Sequence, residues 1–427
     1  MPSGGGLLQL VAMGKQDIFL TGNPQTTWFK SVYRRYTNFA VESQVMYFDG
    51  DPDFGKRLSC LVPRRGDLLG PLVLEVTLPA LTIAGSKPAV PVSYVNSIGH
   101  MLIDQITIEI GENEVDTQTG EWMEIWSNLT TDASKRQGFN EMIGRVEPYI
   151  QPSNYGPTKL YIPLQFWFCK NPGNYLPLLA LQFHPIRINL NIRPLQDLFY
   201  TGQLVTKCST LQVDPVKITD LRLWGDYVFL DVEERRRFVA NAHEYLIEQI
   251  QYTPPIAIPI GANVVSARLE FNHPIRELIW IVQRDQLQSY HEWYNYSSVS
   301  ITEVGKRQDL LATAIIQLDG YDRFDSRDAG YFRLVQPIMH HTAVPNDAFI
   351  YVYSFALRPE DVQPTGSVNA SRIDNFVLQA TLVPDSTAPL GSPTYTPPRG
   401  NAHITIFATN HNVLRIVNGF GGVLFKI

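Results

Sequence analysis

The sequence predicts an all-β chain made of two fused copies of one antiparallel sandwich. Three observations carry that expectation. First, segments with apolar residues at every second position recur along the chain, the signature of half-buried antiparallel strands. Second, 30 Pro, 29 Gly, 20 Tyr and 21 Phe favour many short strands joined by tight turns over helices. Third, the second half repeats the first. Ile108-Glu-Ile-Gly111…Asp116…Gly120 lines up with Ile316-Gln-Leu-Asp-Gly320…Asp325…Gly330, and Pro63-Arg-Arg-Gly-Asp-Leu68 with His273-Pro-Ile-Arg-Glu-Leu278. The two alignments share nearly one offset (320 − 111 = 209; 278 − 68 = 210). At 427 residues the chain exceeds what one core usually serves, so two domains of about 200 residues are expected.

The elements follow in order. Thr21-Gly22-Asn23-Pro24 is a turn cluster. Trp28, Phe29, Val32, Tyr33 and Tyr36 recur at helical spacing, with Lys30, Arg34 and Arg35 opposite, so a short helix is expected there. A strand should begin at Phe39. Leu72 to Leu78, Ile106 to Ile110 and Ile186 to Ile192 alternate as strands, and Leu221 to Leu230 closes the first set. Leu160 to Phe168 is a more continuous apolar run, expected to lie between two layers. Trp122, Ile125, Trp126 and Leu129 place a short helix in a strand-to-strand connection. Asp231-Val-Glu-Glu-Arg-Arg-Arg-Phe238 reads as a solvated linker helix with Glu before Arg, and strands resume at His243. Gln283 to Thr313 shows no sustained period until Asp309; it is expected as an exposed loop between the fourth and fifth strands of the second half. Regular short strands with an aromatic-rich core give the fold class: two fused eight-stranded antiparallel jelly rolls.

Composition excludes several functions. A net charge of −6, and no charged side chain in residues 1 to 14, argue against a basic arm that wraps nucleic acid. Cys60, Cys169 and Cys208 are too few for a disulfide framework and suit a reducing compartment. No apolar run reaches the length of a membrane-spanning helix, and the start lacks the basic residues of a signal peptide. No HExxH, paired CxxC, Walker loop or GxSxG elbow occurs, so no catalytic, cofactor or metal residue is nominated. His340-His341 would point opposite ways on a strand. Asp319, Asp322, Asp325 and Asp328 lack the alternate spacing of a calcium loop and read as turn chemistry. Gly419, Gly421 and Gly422 suit close backbone packing at a strand turn. Sequons stand at Asn128, Asn295 and Asn369, of which Asn295 is the candidate glycosylation site because its loop is expected to be exposed.

Gln16-Asp-Ile-Phe-Leu-Thr-Gly-Asn-Pro-Gln25 and Tyr33-Arg-Arg-Tyr-Thr-Asn-Phe-Ala40 resemble the N-terminal signature of the major capsid proteins of nucleocytoplasmic large DNA viruses, the double jelly-roll family. Asp231 to Phe238 with His243-Glu-Tyr-Leu-Ile-Glu-Gln249 resembles that family's junction between jelly rolls. Tyr353-Ser-Phe-Ala-Leu-Arg-Pro359, Gln363-Pro-Thr-Gly366 and Ser371-Arg-Ile-Asp-Asn375 resemble its second-domain signature, and Asn410 to Gly422 its C-terminal strand pair. Lys15 and Thr26-Thr27 depart from the small or aliphatic residues more usual in the family.

The resemblance implies a structural protein with no catalysis and no cofactor. Three chains would form a pseudo-hexagonal homotrimeric capsomer, and capsomers would tile an icosahedral shell. It implies neighbouring capsomers, minor capsid and penton proteins and a nearby internal membrane as partners, with no direct nucleic-acid contact. It places the chain in the virion capsid, made and assembled in the host cytoplasm. The expected divisions are an arm at 1–25, jelly roll 1 at 26–231, a linker at 232–242 and jelly roll 2 at 243–427. The competing reading is a glycan-binding or glycan-cleaving β-sandwich, with Tyr290, Trp293, Tyr294 and Tyr296 stacking on sugars.

Overall fold

The computed structural model describes residues 4–82, 92–146, 158–201, 208, 213–301, 307–384 and 400–425. The chain divides into two units, Met1–Asn38 and Phe39–Ile427. The first unit carries two short helices, α1 (Gly5–Val11) and α2 (Ile18–Thr21). The helix expected across Trp28 to Tyr36 is absent: residues 31–38 have no regular structure, and Trp28, Phe29, Val32, Tyr33 and Tyr36 are exposed. An amphipathic spacing makes a helix only when its apolar face has something to bury against, and a segment this short is marginal alone.

The second unit holds sixteen principal strands. Eight form the first half: β1 (Phe39–Met46), β2 (Arg57–Leu61), β3 (Leu68–Leu78), β4 (Ile103–Ile110), β5 (Asn113–Thr119), β6 (Thr158–Pro163), β7 (Ile186–Ile192) and β8 (Asp220–Leu230). Eight form the second: β9 (His243–Tyr252), β10 (Val264–Arg268), β11 (Pro274–Arg284), β12 (Leu311–Leu318), β13 (Tyr321–Asp322), β14 (Tyr351–Ser354), β15 (Phe376–Leu382) and β16 (Ala402–Val417). The first half pairs as β1-β8-β3-β6 and β2-β7-β4-β5; the second pairs as β9-β16-β11-β14 and β10-β15-β12-β13. Adding eight to each strand number turns one pair of sheets into the other. All these pairings are antiparallel. Two four-stranded sheets, each mixing early and late strands of its half, make a jelly roll. The chain is two of them.

The repeat also fixes a turn. Gly111 and Glu112 join β4 to β5 with φ of 57° and 67°, and Asp319 and Gly320 join β12 to β13 with φ of 50° and 83°. Both are two-residue hairpins with two positive φ angles, which the twist of the flanking strands favours. The structural offset is therefore 208 (319 − 111), one less than the glycine alignment suggested.

Other local expectations hold or shift. Alternation in Ile186–Ile192 buries Ile186, Ile188, Leu190 and Ile192. The run Leu160 to Phe168 is not one strand: β6 stops at Pro163, and Trp167–Lys170 is a helical turn. Its apolar residues Leu160, Ile162, Leu164, Phe166, Trp167 and Phe168 are nonetheless all buried. The connection β5–β6 carries α3 (Gly120–Thr130), capped by Thr119, whose hydroxyl accepts from Trp122 N at 3.2 Å. The charged run becomes α4 (Val232–Ala240), with the Asp231 carboxylate accepting from Val232 N at 2.8 Å. Glu233 and Glu234 sit in its first turn and Arg237 in its last, each suited to the helix dipole, and none of its residues is buried. Val417 and Phe420 pair across Asn418 and Gly419, both at positive φ, as expected for close packing at a strand turn.

Candidate assembly interface

The residues that matter lie where the two jelly rolls meet. Strand β11 explains why they meet. Its Leu278, Trp280 and Val282 fill the core of the second roll. Its alternate residues Ile279 and Ile281 join the apolar cluster that contains the first roll's core. Period-2 alternation usually yields one wet face; here both faces are apolar, so the sheet must be covered on both. From the first roll, α3 supplies much of the cover. Trp122 and Trp126 stack with ring centroids 5.3 Å apart; Trp122 meets Phe407 at 5.7 Å and Trp126 meets the His341 ring at 6.2 Å.

Buried charge lines the same seam, and one ion pair crosses it. Lys170 of the first roll pairs with Glu248 of the second at 2.6 Å, and Arg276 reaches the other oxygen of Glu248 at 2.9 Å. Burial pushes the Glu248 carboxyl up, but Lys170 and Arg276 more than offset this and hold it at about 2. The Lys170 ammonium also lies 4.4 Å from the centre of the Trp126 ring. His341 stands between two carboxylates, 3.0 Å from Glu277 and 2.9 Å from Glu360, with its side chain wholly buried. Burial alone would lower its pKa; Glu277 and Glu360 instead raise it to about 9. On α3, Glu124 accepts from His100 and Arg145 at 2.7 Å each. Its burial is outweighed by Arg145 and His100, which hold it at about 2. On β5, Asp116 accepts from Gln118 at 3.0 Å and from the Ile250 amide at 3.3 Å, and burial lifts its pKa to about 7. Such clusters perturb titration without making a catalytic centre: each acid is spent on a structural partner.

The segment Gln283 to Thr313 joins β11 to β12, the third and fourth principal strands of the second roll and not the fourth and fifth, and in its described residues it is not an exposed loop. It begins with the end of β11 and a helical turn at Asp285–Ser289, and the residues 294–300 are buried. It works as a strap on the first roll. His291 Nδ1 lies 2.7 Å from the Phe199 carbonyl, Trp293 Nε1 donates to the Asp197 carbonyl at 2.8 Å, and Tyr296 donates to Glu121 at 3.4 Å. Of the four aromatics proposed for sugar stacking, Tyr294 and Tyr296 are buried, and Tyr290 and Trp293 half-buried, so they do not make an exposed stacking platform. Asn295 is corrected in the same way. It is 0% exposed, and its amide donates to Glu292 at 2.7 Å and to the Val299 carbonyl at 2.9 Å, so the exposure that singled it out is missing.

A second strap comes from the chain's end. The Phe183 amide donates to the Gly419 carbonyl at 3.0 Å, and the rings of Phe183 and Phe420 are 5.1 Å apart. A Cβ on Gly419 would stand 2.6 Å from the Phe183 ring, so glycine is required there for the approach as well as the turn.

His340 and His341 do diverge, at a helix end and not on a strand: His340 Nδ1 meets the Leu357 carbonyl at 3.0 Å while His341 faces the carboxylates. The thiols are free, and burial pushes those of Cys60 and Cys169 up to about 11 and 12. Sequence reasoning missed the charged seam. The one local signal was Arg276-Glu277 inside the otherwise apolar Pro274 to Val282. Two adjacent charges in a strand that long and greasy announce partners arriving from elsewhere in the chain.

The sequence profile for "Major capsid protein N-terminus" matches residues 27–231, and that for "Large eukaryotic DNA virus major capsid protein" matches 234–422. The major capsid protein of Phaeocystis pouchetii virus is 36% identical, over 99% of this chain and 99% of that one. That of Paramecium bursaria Chlorella virus 1 is 35% identical over the same shares. Among solved structures, the PBCV-1 virus capsid superposes with a TM-score of 0.78 at 31% identity, covering 94% of this chain and 100% of that one. The Faustovirus major capsid protein, at 13% identity and a TM-score of 0.75, shares the fold. With the repeated sheet order on one side and near full-length relatives on the other, the chain belongs to the major capsid protein family of large eukaryotic DNA viruses.

Proposed function

We propose that this chain is the shell-building subunit of a large double-stranded DNA virus, working as a homotrimer with a pseudo-hexagonal outline. The observation that carries the reading is the internal repeat: two jelly rolls of one topology in one compact unit. Three copies of a twice-repeated body present six similar wedges, so one gene product fills hexagonal positions in a closed shell. The work is assembly; the polar clusters described above hold the body rigid.

The finer divisions belong to the same proposal: an arm, a first jelly roll ending near residue 231, a linker over 232–242 and a second jelly roll from 243. Neighbouring capsomers, minor capsid and penton proteins are its partners, and assembly takes place in the host cytoplasm beside an internal membrane. The arm suits such contacts because Leu7, Leu8, Phe19, Leu20, Trp28 and Phe29 are all exposed, more apolar surface than a free segment normally shows. The test is the mass of the purified protein. A trimer of 48.3 kDa chains, about 145 kDa, supports the proposal; a stable 48.3 kDa monomer that binds a glycan array overturns it.

A further inference from the structure

The helix expected across Trp28 to Tyr36 is missing although its sequence pattern is complete. At 3.6 residues per turn, Trp28, Phe29, Val32, Tyr33 and Tyr36 share one side, Lys30 and Arg34 take the other, and Arg35 stands at the border. No acid stands between Asp17 and Glu42, so nothing in the segment neutralises its cations. Residues 31–38 nonetheless have no regular structure, and Trp28 is 90% exposed and Phe29 97%. A segment this short does not hold as a helix in water unless its apolar side is covered. The pattern specifies a helix whose cover the described residues do not supply.

Charge and side-chain type decide what cover fits. Residues 1–38 carry Lys15, Lys30, Arg34 and Arg35 against Asp17, a net of +3 (4 − 1). The whole chain is at −6, so residues 39–427 carry −9 (−6 − 3). The acidic body of another copy would answer the cations but leave five large apolar side chains to be buried as well. A nucleic-acid strand takes rings and cations interleaved along one groove, whereas here they are segregated to opposite sides. Trp and Tyr on one side of a helix, with Lys and Arg on the other, suit the interface of an anionic bilayer, which answers both at one depth. The body repeats this chemistry where the chain enters it. Phe39 pairs with Leu230, and the same end of the first roll holds the loops before β3 and β7. Phe183 and Phe420 are exposed there with rings 5.1 Å apart, beside exposed Arg64, Arg65 and Arg187; Arg64 donates to the Gln182 carbonyl at 2.6 Å.

We propose that residues 28–36 fold into an amphipathic helix on an anionic lipid surface. Trp28, Phe29, Val32, Tyr33 and Tyr36 sink into the boundary between headgroups and acyl chains, and Lys30, Arg34 and Arg35 lie among the headgroup anions. The lipid supplies the cover that water does not, so binding and helix formation are one event. The inference goes beyond the shell-building reading and does not depend on the trimer: it gives the arm a fold and a ligand of its own.

The test uses the full-length protein and vesicles of phosphatidylcholine, with and without phosphatidylserine. Wild type should sediment with the phosphatidylserine vesicles and stay in solution with phosphatidylcholine alone, and added salt should release it. Arg34→Gln combined with Arg35→Gln should weaken binding about thirtyfold, since each cation near an anionic surface contributes about fivefold. Trp28→Ala combined with Phe29→Ala should weaken it to a similar degree. All four side chains are exposed, so the fold should tolerate the changes, and an unchanged melting temperature checks this. Hydrogen exchange gives the local readout: amides 29–36 should exchange fast without lipid and slowly on phosphatidylserine vesicles. Failure to sediment with either vesicle would overturn the inference, as would binding that both double variants retain, or binding to duplex DNA at a salt concentration that abolishes vesicle binding. Slow exchange of 29–36 in the lipid-free protein would show another copy covering the segment and overturn it too. The lipid-free mass reports separately on the shell-building reading: 48.3 kDa would sink that reading without touching this one.

Discussion

The His341 side chain is wholly buried, yet Glu277 and Glu360 keep it charged near neutral pH. Its pKa is raised from the 6.5 of an ordinary histidine to about 9. The native state therefore binds this proton more tightly than the unfolded chain does. The resulting stabilisation is complete below about pH 6.5 and is lost as pH rises through about 9. Replacing His341 by Gln removes the cation and strands the buried Glu277 carboxylate, a loss of about 3–5 kcal/mol. Thermal melts between pH 6 and 10 check both points. Wild type should lose stability across the upper part of that range, and His341→Gln should melt lower at pH 7 with a flatter alkaline slope. A variant that melts like wild type at pH 7 would show that the imidazolium does not hold this part of the seam. The sequence could not reveal this site: its three members are spread over more than 80 residues and share no motif.

Among the elements, those built on repetition were legible and those built on polar wiring were not. Ile186–Ile192 alternates because one face is buried, so the pattern and the strand have one cause. The linker helix was readable from its charge order, since acids first and bases last suit any solvated helix. The segment Gln283 to Thr313 was misread because its order comes from individual hydrogen bonds to buried groups. Glu292 alone accepts from Asn295 at 2.7 Å and from the Ile301 amide at 3.2 Å. Periodicity is blind to such contacts. Limited proteolysis of the isolated protein should spare residues 290–300 as fully as Ile186–Ile192. First cleavage inside 290–300 would mean that the strap is open in solution. The arm invites the opposite expectation. An apolar, uncharged segment with no buried residue in α1 orders only against something else. Deleting residues 2–14 should leave the trimer at about 145 kDa and cut shell assembly by at least tenfold, measured by light scattering. A deletion that abolishes the trimer would make the arm part of the subunit's own fold.

At the scale of the whole molecule, the duplication was legible in the glycine turns of the two halves, and the strand order confirms it sheet by sheet; the second alignment does not hold, since Leu68 opens β3 whereas Leu278 stands fifth in β11. What the offset could not convey is how the copies join. Phe39–Ile427 is one unit, because the apolar cluster around the first roll's core reaches into β9, β11, β14 and β16. A pair of rolls fused this firmly moves as a single wedge pair, and a wedge pair is what a pseudo-hexagonal capsomer needs three of. The measurement that tests this most directly is electron microscopy of the purified oligomer viewed down its axis. Three subunits forming a ring of six similar lobes is the result expected. An open chain, a two-fold dimer, or a ring in which the two rolls of one subunit sit in unlike environments would contradict the account.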